Sequence, residues 1–353
     1  MTRWKYRFGI PLIGAAVALG AASLTPALTN AQHPLLQPMS PSQLIAAVMG
    51  AAPVQYSGQL QITSNMLGSD ASLLSSVGQS VALPEGTSQL MVYRGAGPNL
   101  RVQEINAQSE RDLYVNSSGA WLWSSAGSKA SHFQASSTTQ STALSQGTNP
   151  TVAADNLVNR LAPTSQVKLG SNVYVAGHAA YTLSLAPLQS GSSISSIRLS
   201  VDAKNYHVLG VSVYSVHSST PVLQMDYQSI SFASPSATNF SFTPPAGTTV
   251  NTVTASQLKS MFSPFTSTTK PVTLGTSWQT VVELPKGSLS KLSSALGSTA
   301  LGDLETPVTL ANGGTASLIH TELVNMLVLP NGSILAGAVR SSVLESDAGA
   351  LGF

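Results

Sequence analysis

Apolar and polar residues alternate in short segments along most of the chain. In Gly58 to Thr63, for example, Leu60 and Ile62 alternate with Gln59 and Gln61. Alternation with a period of two places every second side chain on one face of an extended strand, so each such segment predicts a half-buried β-strand. Further predicted strands, separated by Gly-rich or polar turns, cover residues 88–94, 99–105, 112–116, 120–124, 173–176, 180–186, 196–202, 207–215, 222–232 and 240–243.

Two segments have helical spacing instead. Ser40 and Pro41 are residue types favoured at an N-cap and in the first helical turn, and the apolar residues that follow recur at helical spacing up to Met49. A second helix is predicted for residues 151–161. Helix, strands, helix and strands therefore follow one another over 40–250. This order predicts a β-rich α+β fold, in which one strongly curved antiparallel sheet has helices covering one face.

The pattern changes after residue 250. Pro244 to Gly247 ends the first sheet, because proline cannot continue a hydrogen-bonded ladder. After a Pro/Ser/Thr-rich linker, strands are predicted at 278–284, 304–310, 317–329 and 333–340, with a helix at 288–296. We therefore predict two domains, one over 40–250 and a small α+β C-terminal module over 270–353.

The N-terminal residues resemble an export signal. Arg3, Lys5 and Arg7 precede an apolar stretch from Gly9 to Leu24, and small residues stand one and three positions before the bond after Ala31. This order is typical of a secretory signal peptide, which predicts cleavage after residue 31 and an extracytoplasmic, cell-envelope location. The alternative is an uncleaved N-terminal membrane anchor, for which the apolar stretch is short.

Composition narrows the class of partner. Hydrophobic residues make up 42% of the 353 residues, enough for a core, whereas charged residues make up only 8% and the net charge is +2. Because nucleic-acid binding needs a basic surface and the mature chain has no basic cluster, we expect no nucleic-acid partner. The chain has no cysteine, which excludes disulfides, thiolate metal sites and cysteine nucleophiles.

Catalytic motifs are not evident. No two histidines have the spacing of a helical metal site, and there is no G-x-S-x-G segment. Three S-x-x-K matches begin at Ser165, Ser256 and Ser288, but a serine-rich chain produces these by chance. We therefore expect no metal, no cofactor and no enzymatic activity.

The candidate functional surface is apolar. Strand alternation places aliphatic or aromatic side chains on one face of several segments, and these residues are core packing or the lining of a cavity for acyl chains. The candidate ligand-binding residues are Leu60, Ile62, Leu90, Val92, Leu100, Val102, Leu113, Val115, Trp121, Trp123, Leu183 and Leu185.

Several segments in order resemble one bacterial superfamily. Tyr93 and Trp121 to Ser125 are followed by Val175 to Pro187 (VAGHAAYTLSLAP), by the strand pair from Ile197 to Tyr214, and by Phe240 to Gly247 (FSFTPPAG). Together they resemble the LolA/LppX/RseB superfamily of lipoprotein carriers and sensors over about residues 40–250. At one position His178 stands where the superfamily has arginine, which puts any role of that arginine in closing a lid in doubt.

The resemblance implies an unclosed half-barrel with helices plugging its mouth, and a protein without cofactor or catalysis. It further implies a partner that is an acyl lipid or a lipoprotein. Two roles follow, a carrier, or an RseB-like envelope-stress sensor that regulates a membrane anti-sigma factor through a second domain. A different class stays open: an exported Ser/Thr-rich β protein with a solid core, acting as a structural or adhesion module.

Overall fold

The computed structural model describes residues 33–66, 86–106, 108–135, 141–142, 145, 158, 160–254, 272–290 and 305–353. All of them belong to one compact unit, His33–Phe353. The predicted export segment 1–31 lies outside the described residues, as do residues 151–157 of the second predicted helix. Among the residues described, no helix combines the length and the apolar composition needed to cross a membrane.

A large unclosed sheet forms most of the structure, which confirms the prediction of a β-rich fold. Its thirteen described strands run in the order β13-β6-β5-β4-β3-β2-β1-β12-β11-β10-β9-β7, and β8 pairs with β9. All pairs are antiparallel except β6 with β13. The strands are β1 (Tyr56–Ser64), β2 (Gly86–Arg94), β3 (Leu100–Ile105), β4 (Glu110–Asn116), β5 (Gly119–Ser124), β6 (Lys129–Gln134), β7 (Ser165–Leu169), β8 (Val173–Val175), β9 (His178–Pro187), β10 (Ile194–Asp202), β11 (Val208–Ser215), β12 (Pro221–Ser231) and β13 (Thr249–Thr252).

The register divides this sheet into two faces, because directly paired residues of neighbouring strands point to the same side. One cross-strand row runs through Ile62, Met225, Val211, Leu199 and Leu183. We call the face that bears this row the first face and the opposite one the second face.

Helix α1 (Pro41–Gly50) begins where the sequence predicts. The Ser40 hydroxyl accepts a hydrogen bond from the Gln43 backbone N–H, and the Gln43 side chain accepts one from the Ser40 N–H, which together form a capping box. Leu44 and Val48 are buried in one cluster with Leu183 and other first-face residues of β9–β11. Helix α1 therefore packs against this half of the first face. That helices cover a concave face as a whole stays a prediction.

The C-terminal residues form a second, six-stranded sheet in the order β14-β15-β19-β18-β17-β16. Its strands are β14 (Val272–Leu274), β15 (Val281–Leu284), β16 (Glu305–Thr309), β17 (Thr315–His320), β18 (Asn325–Val328) and β19 (Ile334–Gly337), and helix α2 (Ser341–Ala350) follows. Leu344 and Ala348 of α2 pack against Val281, Leu327 and Leu335.

Two sequence-based details of this module are wrong. The single strand predicted for 317–329 is interrupted between β17 and β18, where the Thr321 backbone N–H bonds the Val324 carbonyl. Helix α2 was not predicted, because its buried positions carry only two apolar residues, Leu344 and Ala348. The domain boundaries at 250 and 270 stay a prediction, since both sheets belong to the same compact unit.

Trp278 joins the two sheets. It lies in a short 3₁₀ helix (Ser277–Gln279) before β15, yet its side chain belongs to the core cluster of the large sheet with Leu185. Its indole Nε1 donates a hydrogen bond to the Ser165 hydroxyl at 2.9 Å. A backbone hydrogen bond from the Ser193 N–H to the Ala338 carbonyl, at 3.0 Å, lies at the same junction. The C-terminal sheet is therefore attached through packing and hydrogen bonds.

Replacing Trp278 with alanine should destabilise the whole unit. The substitution leaves a cavity in the shared core, which costs about 3–5 kcal/mol for a buried tryptophan. Urea unfolding followed by circular dichroism measures the loss. Tyr174→Ala is the control, because Tyr174 is 59% exposed and its removal should change stability by less than about 1 kcal/mol. Equal losses in the two variants would show that Trp278 does not hold the junction.

Candidate functional site

Ten of the twelve predicted site residues lie on the first face. In the half formed by β1–β5, Leu60 pairs with Leu90, Val92 with Val102, and Val102 with Leu113. The register thus brings together the aliphatic side chains that the alternation pattern predicted. The ten residues are Leu60, Ile62, Leu90, Val92, Leu100, Val102, Leu113, Val115, Leu183 and Leu185.

Six of the ten residues are at most 4% exposed, and four of these belong to a buried cluster in the β1–β5 half: Leu60, Val92, Leu100 and Val115. Leu183 and Leu185 are 0% and 1% exposed and pack with helix α1, so that half of the first face is solid core. Across β2–β5 the cross-strand row instead passes from fully buried Val92 through partly buried Val102 and Leu113. Its last member, Leu122, is 40% exposed. This row, which we call the open row, is an apolar surface that the described residues only partly cover.

Trp121 and Trp123 require a correction, because they lie on the second face. The tight β4–β5 hairpin pairs Asn116 with Gly119, so Leu113 faces Leu122 and the two tryptophans point to the other side. The predicted single surface that combines them with the aliphatic residues therefore does not form. Leu122, which the sequence analysis overlooked, takes their place, and counting across the two-residue turn would have found it.

The second face of the same strands carries an aromatic cluster. Trp121 stacks on His132 with ring centroids 4.0 Å apart, and Phe242 lies against Trp121 at 5.4 Å and Tyr114 at 4.9 Å. Phe242 belongs to the FSFTPPAG segment, which the sequence resemblance selected. That segment thus folds back over β4 and β5 and shields part of the second face.

An ion pair lies beside this cluster. The Arg101 guanidinium donates to the Asp112 carboxylate at 2.6 Å, and the Tyr114 hydroxyl donates to the same carboxylate at 2.6 Å. Asp112 is buried, and Arg101 also lies over the rings of Tyr93 and Tyr114. Burial, assisted by the bond to Asp112, raises the pKa of Tyr114, which stays protonated and a donor. These contacts make the second face a rigid support for the open row.

Arg94 is the second functional residue that the sequence analysis missed. It ends β2 on the first face, opposite Tyr56 and Leu100. Its Nη1 donates to the Asn99 carbonyl and to the Ser145 hydroxyl, each at 3.0 Å. The contact with Ser145 spans fifty-one positions, so no local pattern could have predicted it.

A shallow groove of about 500 Å³ lies at the C-terminal end of α1. Small residues at the end of the helix, including Ala47 and Gly50, line one side. Lys204 and Tyr206 of the β10–β11 turn line the other, and Lys204 is its charged residue. None of the predicted site residues lines this groove. Within the described ranges, no three His, Asp or Glu side chains are placed to hold a metal ion.

His207 packs against three aromatic side chains, Tyr56, Tyr227 and Phe232. Its ring lies 4.7 Å from that of Tyr56, and it meets Phe232 edge-on at 5.8 Å. Burial lowers the pKa of His207 to about 4, although the neighbouring Asp202 carboxylate opposes the shift. The folded protein therefore holds His207 in its neutral form at pH 5–7.

No family model matches the chain, and no curated protein matches it. Among solved structures, the MucA/MucB complex of Pseudomonas aeruginosa shares 12% identity over 86% of this chain and 93% of that chain, with a TM-score of 0.43. A LolA superfamily protein from Nitrosomonas europaea shares 11% over 58% and 99%, with a TM-score of 0.24. Both similarities are low in identity and in TM-score.

Folding stability should depend on pH through His207. Its folded pKa lies below the value of about 6.5 for an unfolded histidine, so the unfolded state binds more protons between these values. The stability that neutral His207 gives the folded state is fully present above pH 6.5. It is lost as the pH falls towards 4, and the free energy of unfolding then decreases by up to about 3 kcal/mol. In His207→Phe, urea unfolding at pH 4 to 7 should show this part of the pH dependence removed.

The control is His33→Phe, since His33 is exposed. That variant should keep the pH dependence of the unmodified protein. An unchanged pH profile in His207→Phe would mean that His207 is not held neutral in the fold.

Proposed function

We propose that this chain is an exported, non-catalytic protein of the cell envelope that binds an acyl lipid or the acyl chains of a lipoprotein. The binding surface is the first face of β2–β5. The open row is the observation that carries the proposal, because Leu122 is 40% exposed at the end of a continuous apolar row. A half-covered apolar surface inside a protein gains about 25 cal/mol per Å² when an apolar ligand covers it.

The side chains available on this face also favour binding over catalysis. In β1–β6 its Arg, Lys, Asp and Glu residues are Arg94, Glu104, Arg111 and Lys129, whereas His132 lies on the second face. A nucleophilic serine needs an adjacent base within hydrogen-bonding reach, and histidine is not placed for that role in these strands. A lipid-binding surface needs no such pair.

A structural or adhesion module with a solid core is the competing reading. The half of the first face under α1 fits it, because Leu183, Leu199 and their neighbours are fully buried. The other half also has a buried cluster, which includes Leu60 and Leu100, so the lipid-binding function is favoured there by the exposed end of the open row at Leu122. Organic extraction of the purified protein separates the two, since only the lipid-binding function predicts acyl lipid in the extract.

A sensor role is favoured over simple carriage by the junction between the sheets. Trp278 of the C-terminal module lies in the core of the large sheet, and Glu322 accepts a hydrogen bond from Ser215 of β11 at 2.9 Å. Because packed and hydrogen-bonded interfaces transmit small shifts, a ligand on the large sheet can change the module. We propose that the module contacts a membrane anti-sigma factor.

Leu122→Asp should abolish acyl binding. The change places a carboxylate in the open row, where an apolar chain would leave it without water or a hydrogen-bond partner, so affinity should fall more than tenfold. Titration with a fluorescent fatty acid measures the affinity, and organic extraction measures co-purified lipid. Ile105→Asp is the matched control, because Ile105 is an equally aliphatic, 61% exposed residue on the second face of β3.

Unchanged uptake by Leu122→Asp would remove the open row from the binding surface. A lipid-free extract together with no uptake by the unmodified protein would favour the structural module instead.

The sensor role predicts a ligand-dependent complex. Lipid-loaded and delipidated protein should be captured to different extents by the extracytoplasmic part of an anti-sigma factor from the same cell. Pull-down with Trp278→Ala, which loosens the junction, should lose this difference. Equal capture of both forms by a folded protein would leave the carrier role.

A further inference from the structure

Arg94 is a cation at the edge of an apolar surface. Its partners across the strands, Tyr56 and Leu100, are 1% and 0% exposed. Val92, two residues earlier on the same strand, begins the open row. The guanidinium therefore leaves the sheet on the first face among apolar neighbours.

The positive charge of Arg94 has no counter-charge in the part of the chain that the structure describes. Its Nη1 donates to a carbonyl and to a hydroxyl, both neutral. Arg101, in the adjacent strand but on the second face, has the Asp112 carboxylate at 2.6 Å. Burial lowers the pKa of Arg94, but arginine keeps its charge at physiological pH. A partly desolvated cation without a counter-charge is costly, so an anion at this position would be stabilising.

The free part of the guanidinium has the geometry for such an anion. Both described hydrogen bonds of Arg94 use Nη1, which leaves its Nε and Nη2 without a partner among the described residues. These two N–H groups form one edge of the planar fork. Carboxylate and phosphate oxygens accept two parallel hydrogen bonds from this edge.

The open row extends from the same place. Across the four strands β2–β5 the open row spans about 14 Å at the usual spacing of neighbouring strands. The row crosses the sheet through Val102 and Leu113 to Leu122. A cation and an apolar row thus lie side by side on the first face, which matches the two parts of an amphiphile. Val92 itself is fully buried, so the accessible part of the row runs from Val102 to Leu122.

We infer that Arg94 binds the carboxylate or phosphate headgroup of an anionic amphiphile whose acyl chain lies along the open row. The inference rests on the proposed lipid-binding function and deepens it by assigning the charge of the headgroup. Asn99 and Ser145 orient the guanidinium from one side, and the ligand completes its hydrogen bonding from the other.

The test uses three amphiphiles that have the same alkyl chain length and differ in their headgroup. Hexadecanoate, hexadecyl phosphate and hexadecan-1-ol compete with a fluorescent fatty acid for the purified protein. The unmodified protein should bind the two anions about tenfold or more tightly than the alcohol, as expected for hydrogen bonds to charged groups. Whichever anion binds more tightly identifies the headgroup.

Arg94→Gln should lose this preference while keeping its affinity for the alcohol, and Arg94→Lys should keep part of it. The control is Arg198→Gln, an exposed arginine on the second face of β10, which should keep the full preference. The ratio of affinities is measured on one preparation, so a lower folded fraction in a variant does not alter it.

Two results would overturn the inference in distinguishable ways. If the unmodified protein binds all three probes equally, or Arg94→Gln keeps the preference, Arg94 is not the anchor and the lipid-binding function stands. If none of the three probes binds, the lipid-binding function itself fails and the inference fails with it.

Discussion

The pairing of β1 with β12 is the interaction on which the rest of the structure depends. It joins strands more than 150 positions apart and makes two antiparallel meanders into a single sheet. Gly58 permits this pairing, because a Cβ at that position would lie 2.6 Å from the Ser229 carbonyl oxygen and 2.9 Å from the Tyr227 ring. The register shifts between Gln59 and Leu60, and beyond that shift Ile62 faces Met225. The continuous first face exists only because this register holds.

The strands were predictable where burial alternates residue by residue, and the fold class followed from their order. The face of the sheet to which side chains point was less predictable in β5, where the large rings of Trp121 and Trp123 suggested a position with the aliphatic core residues. They are instead accommodated by Phe242, which lies more than a hundred residues away in sequence. The face of Leu122 follows from counting residues across the β4–β5 turn, whereas the hydrogen bond of Arg94 to Ser145 joins residues 51 positions apart and no local pattern predicts it. The register of a short hairpin can be predicted from neighbouring residues, but the side chains that cover a face of the sheet come from distant segments.

The two faces of β3–β5 have different physical roles. On the second face, Arg101 lies between the rings of Tyr93 and Tyr114 and bonds buried Asp112, so these strands are fixed by contacts that do not involve the first face. The opposite side can therefore stay partly uncovered without loss of strand order. In β10–β11 the second face carries only the exposed pair of Arg198 over the Tyr214 ring among the described contacts of this kind, and there the first face is packed tightly under α1 through Leu183.

This division explains why an open apolar row can persist in a stable protein. A row such as Val92 to Leu122 would gain stability if larger side chains filled it, yet a filled face would exclude a ligand. Binding then replaces the missing packing, so a ligand that contacts only the folded state must also stabilise it. Trp278 ties the C-terminal sheet into the core under α1, which belongs to the same large sheet as the open row but is a separate cluster. Under the proposed lipid-binding function, a ligand that stabilises the large sheet would also stabilise the junction with the second sheet.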